Sequence, residues 1–287
     1  MAKYIDKKFL KKFVPKRDEN SNKGSFGKIL NIAGSDTYSG AALLSSVSAL
    51  KTGAGYVCLA CPKEIIPRIA PACPELTYMP LFSNNNGAIS SENIVNTEGF
   101  NVISLGCGIT HDNDTATFVL NTLLNIKDKK LILDADGINI LSAFSDKPDI
   151  KGSIITPHPM ELSRLLNTDV NNIISNREKY AKMASEAYNC ITVLKGHNTI
   201  ITNGKDVYIN TTGSSALAKA GTGDVLTGII SGFAAQGLSG IDAAILGVYL
   251  HGLAGDLAAK ELTKYCVLAS DVIAYINCAF SAILKDE

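Results

Sequence analysis

Gly221-Thr-Gly-Asp224 is a stretch in which chemistry can be read from residue type and spacing alone. A Gly-rich turn runs straight into a helical pattern, with Val225, Leu226, Ile229, Ile230 and Phe233 on one apolar face. Gly228 and Gly232, four apart, let a second backbone pack close to that helix. The first amides of a helix lack intrahelical acceptors, and the helix dipole places partial positive charge there. Glycines at such an end let a ligand reach the backbone, so Gly221, Thr222 and Gly223 can form an anion site without any cation. Asp224 has two readings. It suits a helix N-terminus electrostatically, and a carboxylate beside an anion site can also take the proton from a hydroxyl that attacks phosphorus.

Other candidates stand where apolar, strand-like runs end. Gly34-Ser-Asp-Thr-Tyr-Ser-Gly-Ala41 and Gly106-Cys-Gly108 read as tight turns or as backbone that a ligand approaches; neither completes a phosphate-loop or dinucleotide fingerprint. Asp134 and Asp136, two apart, suit a hydrated Mg²⁺ or a ligand hydroxyl, and Asp136 alternatively caps a helix. In Thr156-Pro-His-Pro-Met-Glu161, two prolines stiffen a strand exit and aim His158 and Glu161. Glu161 either orients metal-bound water or caps the helix that follows. In Leu194-Lys-Gly-His-Asn-Thr199, Lys195 either neutralises a phosphate or lies in solvent, and Gly196 permits close approach.

These segments need a scaffold that brings strand ends together. Strand patterns fall at 28–33, 56–60, 76–80, 102–105, 131–134, 153–156, 191–194, 199–202 and 207–210. Helical patterns fall at 39–52, 63–70, 114–126, 159–166 and 171–188, then at 224–236, 240–260 and 268–284. Apolar strands alternating with helices predict an α/β fold with a mostly parallel sheet covered on both faces, whose ligands bind beyond the carboxyl ends of the strands. The last two strands, joined by Asn203-Gly-Lys-Asp206, predict an antiparallel hairpin. Residues 1–27 read as a short helix and a polar connector. With 46% hydrophobic and 19% charged residues the chain can bury a large core, and a formal net charge of zero gives no reason to expect nucleic acid or an anionic membrane as partner. No transmembrane span and no secretory signal are expected. Seven cysteines, several in apolar contexts, suit buried free thiols and a cytoplasmic location, with Cys58 and Cys61 lacking a second ligand pair for zinc.

Taken together, the segments resemble the ADP/ATP-dependent NAD(P)H-hydrate dehydratase family of the ribokinase-like superfamily. The resemblance rests on Lys23-Gly-x-x-Gly-x-x-Leu-x-Ile-Ala-Gly-Ser35, Tyr38-Ser-Gly-Ala41, Ala49-Leu-Lys-Thr-Gly-Ala-Gly55, Leu133-Asp-Ala-Asp136, Thr156-Pro-His-Pro-x-Glu161, Leu194-Lys-Gly-x-x-Thr199 and Gly221-Thr-Gly-Asp-x-Leu-Thr-Gly228. It implies a three-layer α/β/α sandwich forming a single domain over 1–287, with residues 1–22 as an N-terminal extension and no epimerase domain. The implied reaction phosphorylates the ring hydroxyl of the S epimer of hydrated NADH or NADPH with ADP or ATP, then eliminates phosphate. By the resemblance, Asp224 is the base and Gly221, Thr222 and Gly223 the anion hole. Lys195, Gly196, His197, Asn198, Thr199 and Gly223 hold the nucleotide, while Ala41, Gly108, His158 and Asp224 line the hydrated dinucleotide. Glu161 helps hold Mg²⁺. A separate epimerase and a homo-tetramer are also implied. Ala220 and Cys107 depart from the family's usual glycine and proline. The alternative within the same fold is a small-alcohol kinase acting on a vitamin precursor such as a hydroxymethylpyrimidine or hydroxyethylthiazole, which would release a stable phosphate ester.

Overall fold

The computed structural model describes residues 2–126, 129–144 and 148–285. The strands are β1 (Lys3–Tyr4), β2 (Lys28–Ile32), β3 (Tyr56–Pro62), β4 (Thr77–Leu81), β5 (Val102–Leu105), β6 (Lys130–Leu133), β7 (Ile154–Ile155), β8 (Ile191–Leu194), β9 (Ile200–Thr202) and β10 (Val207–Ile209). They form one sheet in the order β1-β10-β9-β8-β7-β6-β5-β2-β3-β4. From β8 to β4 every pairing is parallel; β9 runs antiparallel to β8 and β10, and β1 pairs in parallel with β10.

Neighbouring side chains on a strand point to opposite faces. Here both faces are buried. Ile29, Ile132, Ile154, Val193 and Ile201 enter one core, while their chain neighbours Leu30, Leu133, Ile155, Leu194 and Ile200 enter another. This explains why the strands read as continuous apolar runs rather than as alternation. The helices are α1 (Lys7–Leu10), α2 (Ser39–Lys51), α3 (Ile66–Ile69), α4 (Asn113–Asn125), α5 (Asp136–Ala143), α6 (Pro159–Leu165), α7 (Val170–Ser175), α8 (Arg177–Tyr188), α9 (Thr222–Ala235), α10 (Gly240–Cys266), α11 (Ala269–Ala274) and α12 (Ile276–Leu284). Residues of α2 and α9–α12 fill the first core, and residues of α4–α8 fill the second. The result is the expected three-layer α/β/α sandwich.

Helix α9 lies against α2, and the two glycines do what their spacing predicts. A Cβ on Gly228 would fall 2.1 Å from the Ser45 carbonyl oxygen, and one on Gly232 would fall 2.9 Å from that of Ala49.

Four expectations need correction. The N-terminal segment is more than a helix and a connector: Lys3–Tyr4 adds a strand to the sheet, and Ile5 and Leu10 are fully buried. Helix α5, absent from the periodicity, follows β6 directly. The 63–70 pattern breaks into 3₁₀ turns around α3, where Pro67 and Pro71 lie. The 171–188 and 268–284 patterns each split into two helices, at Asn176 and Tyr275. Helix α10 is long and apolar enough to cross a membrane, but 72% of its most apolar window is buried inside the fold, as suits a core helix.

Candidate active site

The first turn of α9 sits beyond the carboxyl ends of the parallel strands. Gly221 precedes it with φ +88°, and a Cβ there would fall 2.7 Å from Leu44 Cδ1, so only glycine fits. The Thr222 hydroxyl lies within hydrogen-bond distance of the carbonyls of Leu217 (2.8 Å) and Lys219 (2.9 Å), so it secures the turn rather than facing a ligand. The amides of Gly223 and Asp224 have no hydrogen-bond acceptor among the described residues. These unpaired amides stand where the sequence predicts an anion site.

Below this turn lies a buried group of charges. Lys195 Nζ is 2.8 Å from Asp134 Oδ1 and 3.5 Å from Glu161 Oε2. Thr227, on the underside of α9, donates to Asp134 Oδ2 at 2.6 Å. Burial pulls the Lys195 pKa down, but the two carboxylates outweigh it and leave the ammonium more firmly protonated than a free lysine. Burial likewise opposes the charge on Asp134, yet Lys195 and the hydrogen bonds hold its carboxyl below the ordinary range. Asp224 lacks such a counter-ion. Burial, together with the nearby Asp134 charge, pushes its pKa up to about 6. The nearby Cys107 thiol, which burial and the same two aspartates keep far from ionising, lies 3.9 Å from Asp134 Oδ2. Asp134 and Asp136 diverge because Ala135 between them adopts φ +49°. Asp134 turns under α9, and Asp136 accepts from the Thr110 amide at 2.9 Å instead of capping α5.

His158 is the N-cap of α6: its Nδ1 accepts from the amides of Met160 (3.1 Å) and Glu161 (3.3 Å). Glu161 completes the capping box by accepting from the His158 amide at 2.7 Å. With one oxygen on that amide and facing Lys195, and the other 3.4 Å from His158 Nε2, its carboxylate is engaged on both sides. Glu161 therefore does not fit a Mg²⁺ ligand. No group of three or more His, Cys, Asp or Glu able to hold a metal occurs among the described residues.

The loop 195–199 is fixed from two directions. Lys195 donates its amide to the Pro157 carbonyl at 2.9 Å, joining it to the His158 segment. Arg177, which the sequence reading missed, donates to the carbonyls of Leu194, Lys195, His197 and Asn198 and so clamps the loop. A cavity of about 650 Å³ opens between this loop and α9, with His158, Lys195, Gly196, His197, Thr199 and Gly223 among its lining. Asn198, in a left-handed turn conformation, is not in that lining. Ala41 and Gly108 lie together elsewhere: a Cβ on Gly108 would fall 2.8 Å from that of Ala41. Cys107, which precedes Gly108, lies near enough to Asp224 for that carboxylate to disfavour its ionisation, whereas Gly223 faces the cavity. The base candidate thus stands between two surfaces.

The model of the NAD(P)H-hydrate dehydratase family matches residues 29–277 of the chain. The chain belongs to the NAD(P)H-hydrate dehydratase family. The ADP-dependent (S)-NAD(P)H-hydrate dehydratase of Bacillus subtilis is 34% identical over 261 residues, which cover 90% of this chain and 91% of that enzyme. A bifunctional NAD(P)H-hydrate repair enzyme from Dictyoglomus turgidum is 35% identical over 98% of this chain; the chain spans 56% of that relative, about half its length. The Bacillus subtilis ADP/ATP-dependent NAD(P)H-hydrate dehydratase, co-crystallised with ATP and Mg²⁺, superimposes with a TM-score of 0.87 at 30% identity, covering 98% of this chain and 99% of that one. A hydroxyethylthiazole kinase from Pyrococcus horikoshii shares the fold alone, with a TM-score of 0.57 at 14% identity. The vitamin-kinase likeness stops at the architecture.

Proposed function

We propose that the chain restores hydrated NADH or NADPH, phosphorylating the ring hydroxyl of the S epimer with ADP or ATP and then releasing phosphate. The observation that carries this reading is the setting of Asp224. A carboxyl with a pKa near 6 adjoins unpaired helix amides, with a large cavity on one side and the Ala41–Gly108 edge on the other. A base operating near neutral pH needs such a pKa.

In this reading the donor nucleotide lies along Lys195, Gly196, His197, Asn198 and Thr199, with its terminal phosphoryl group at Gly221, Thr222 and Gly223. The hydrated dinucleotide lies over Ala41, Gly108 and His158. Asp224 takes the hydroxyl proton as the oxygen bonds to the terminal phosphorus. The bond from that phosphorus to its bridging oxygen breaks, and AMP or ADP leaves. The ring C–O bond then breaks, phosphate departs, the adjacent ring carbon loses a proton, and the double bond returns. Lys195, held between Asp134 and Glu161, supplies fixed positive charge near Gly223, and the amides supply oriented dipoles. Mg²⁺ arrives on the donor's phosphates, which commonly provide its ligands, and no side chain is assigned to it.

An epimerase that converts the other epimer is the partner this substrate needs; the S epimer is specified in the relatives' names. The single sheet supports one domain. Exposed Tyr265, Leu268 and Leu284 on the C-terminal helices support self-association, proposed as a tetramer, and seven free cysteines suit the cytoplasm. The test is to supply hydrated NADH or NADPH, Mg²⁺ and either nucleotide, and to follow dihydronicotinamide absorbance together with phosphate release. Nucleotide-dependent recovery of absorbance is expected. A stable phosphate ester without recovery would instead indicate a small-alcohol kinase.

A further inference from the structure

Two buried polar atoms of the cavity wall, Nε2 of His251 and Oγ of Ser214, have no hydrogen-bond partner among the described residues. His251 is 8% exposed, on the buried length of α10. A buried polar atom left unpaired costs folding free energy, so it calls for an explanation.

The wall around them is rigidly built. Asp256 Oδ2, also on α10, accepts from the Gly213 amide at 2.7 Å, and Thr212 Oγ1 lies 2.9 Å from the Tyr249 carbonyl oxygen. A Cβ on Gly252 would fall 2.3 Å from Thr212 Oγ1, so the loop rests directly on the α10 backbone. Asn210 is occupied within the loop, donating to the Thr212 carbonyl at 2.8 Å. These contacts fix Ser214 and His251 relative to one another while leaving their polar atoms free. Leu217, Leu226 and Val248 add apolar surface to this lining. Apolar surface with a few fixed polar groups suits a flat heteroaromatic ring.

The polarity of His251 follows from its surroundings. Burial brings its pKa down to about 4, so the ring is neutral at working pH. A neutral imidazole has one acceptor nitrogen, and Nε2, which no group among the described residues engages, is free to take that role toward a ligand. The nearby charges are the Lys195 ammonium, on the phosphate side of the same cavity, and Asp256, already engaged with Gly213.

Resting on the proposed nucleotide-dependent reaction, we propose that His251 and Ser214 recognise the donor's base. His251 Nε2 accepts from the exocyclic amine of adenine, and Ser214 Oγ pairs with the ring edge. A base with a carbonyl at that position would set oxygen against a lone pair. The arrangement therefore selects adenine over hypoxanthine and guanine.

The experiment is calorimetric titration of the wild-type chain with ADP, IDP and purine riboside 5′-diphosphate, with His251→Leu and His251→Gln in parallel. Wild-type protein is expected to bind ADP roughly tenfold or more tightly than the other two, the scale of one buried hydrogen bond. His251→Leu should weaken ADP to the level of the purine riboside compound and leave that compound's affinity unchanged. His251→Gln, which can present a carbonyl oxygen, should recover part of the preference. The wild-type series decides the matter even if a variant fails to fold. ADP and IDP binding within threefold of each other, or a preference that survives in His251→Leu, would overturn the base assignment alone. Absence of binding by all three would overturn it together with the proposed function.

Discussion

Asp224 links the catalytic proposal to the stability of the fold through a single carboxyl. Its pKa of about 6 lies above the ordinary aspartate value because burial and the Asp134 charge both oppose ionisation. Turnover should therefore fall as pH drops through about 6, where the base takes up its proton. The stability effect has the opposite sign. Between the unfolded pKa near 4 and the folded value near 6, the folded chain binds more protons, so stability declines as pH rises through that window. At pH 7.5 the buried charge costs about 2 kcal/mol after allowance for its partial exposure. Asp224→Asn should melt at a higher temperature than wild type at pH 7.5, with the gain fading toward pH 4, while turnover falls by about two to four decades and ADP binding persists. Equal melting at both pH values would mean that water reaches the carboxylate. Gly223 gives a complementary prediction. Its φ is ordinary, and the nearest atom to an added Cβ is Lys195 Nζ at 3.8 Å, so the fold accepts alanine there. Gly223→Ala should keep its melting temperature and lose nucleotide binding, measured by calorimetry; retained binding would show that no ligand approaches this amide. The Gly-Thr-Gly-Asp stretch was legible because a glycine turn before an apolar helix is a local signal. Asp134 under α9, and the pairing of Lys195 with two carboxylates, were not: those contacts join segments 34 to 93 residues apart in the chain.

At the scale of elements, the pairing of α9 with α2 positions the proposed anion site. Gly228 allows it: an added Cβ would lie 2.0 Å from Ser48 Oγ and 2.1 Å from the Ser45 carbonyl oxygen, the latter a backbone atom that cannot step aside cheaply. Gly228→Ala should therefore lower stability by about 3 kcal/mol, the upper part of the overpacking range, and a urea midpoint measures it. An unchanged midpoint would mean that the two helices can separate freely. The sequence announced this contact because glycines at i and i+4 share one helix face. It did not announce Arg177, whose surface-like sequence context hides four backbone carbonyls that no side-chain pattern encodes. Arg177→Ala should loosen the 195–199 loop and weaken ADP roughly tenfold, the scale of a lost charged hydrogen bond, while the pH midpoint set by Asp224 stays in place. A shift of that midpoint would connect Arg177 to the base rather than to the loop. Helix α5 was missed for another reason: at eight residues it offers barely two turns of period, and it begins on an aspartate that the pattern assigned to the strand end.

Across the whole molecule, the N-terminus and the proposed nucleotide cavity are one construction. Strand β1 pairs with β10, and the Ile5 amide donates to the Ile209 carbonyl at 2.9 Å. The Thr211 hydroxyl in turn donates to the Ile5 carbonyl at 2.8 Å, so the chain's first strand anchors the loop that carries Ser214. Two residues of strand have no measurable period, and their partner lies about two hundred positions away, which is why alternation of strands and helices revealed the sheet but not this edge. Ile5 is 1% exposed in the same core as α9 and α10, so its side chain contributes as a core residue and not as a terminus. Ile5→Ala should cost about 2–4 kcal/mol of stability, as buried isoleucine truncations do. The loss should also loosen the 211–214 loop and raise the apparent Kd for ADP. The pH dependence of turnover near 6 should not move, because the groups that set the Asp224 pKa, Asp134 foremost, are not in that loop. A urea midpoint equal to wild type would detach the N-terminal strand from the core. A shifted pH midpoint at normal stability would mean that the cavity wall and the base are coupled, and that the nucleotide's seat helps set the basicity of Asp224.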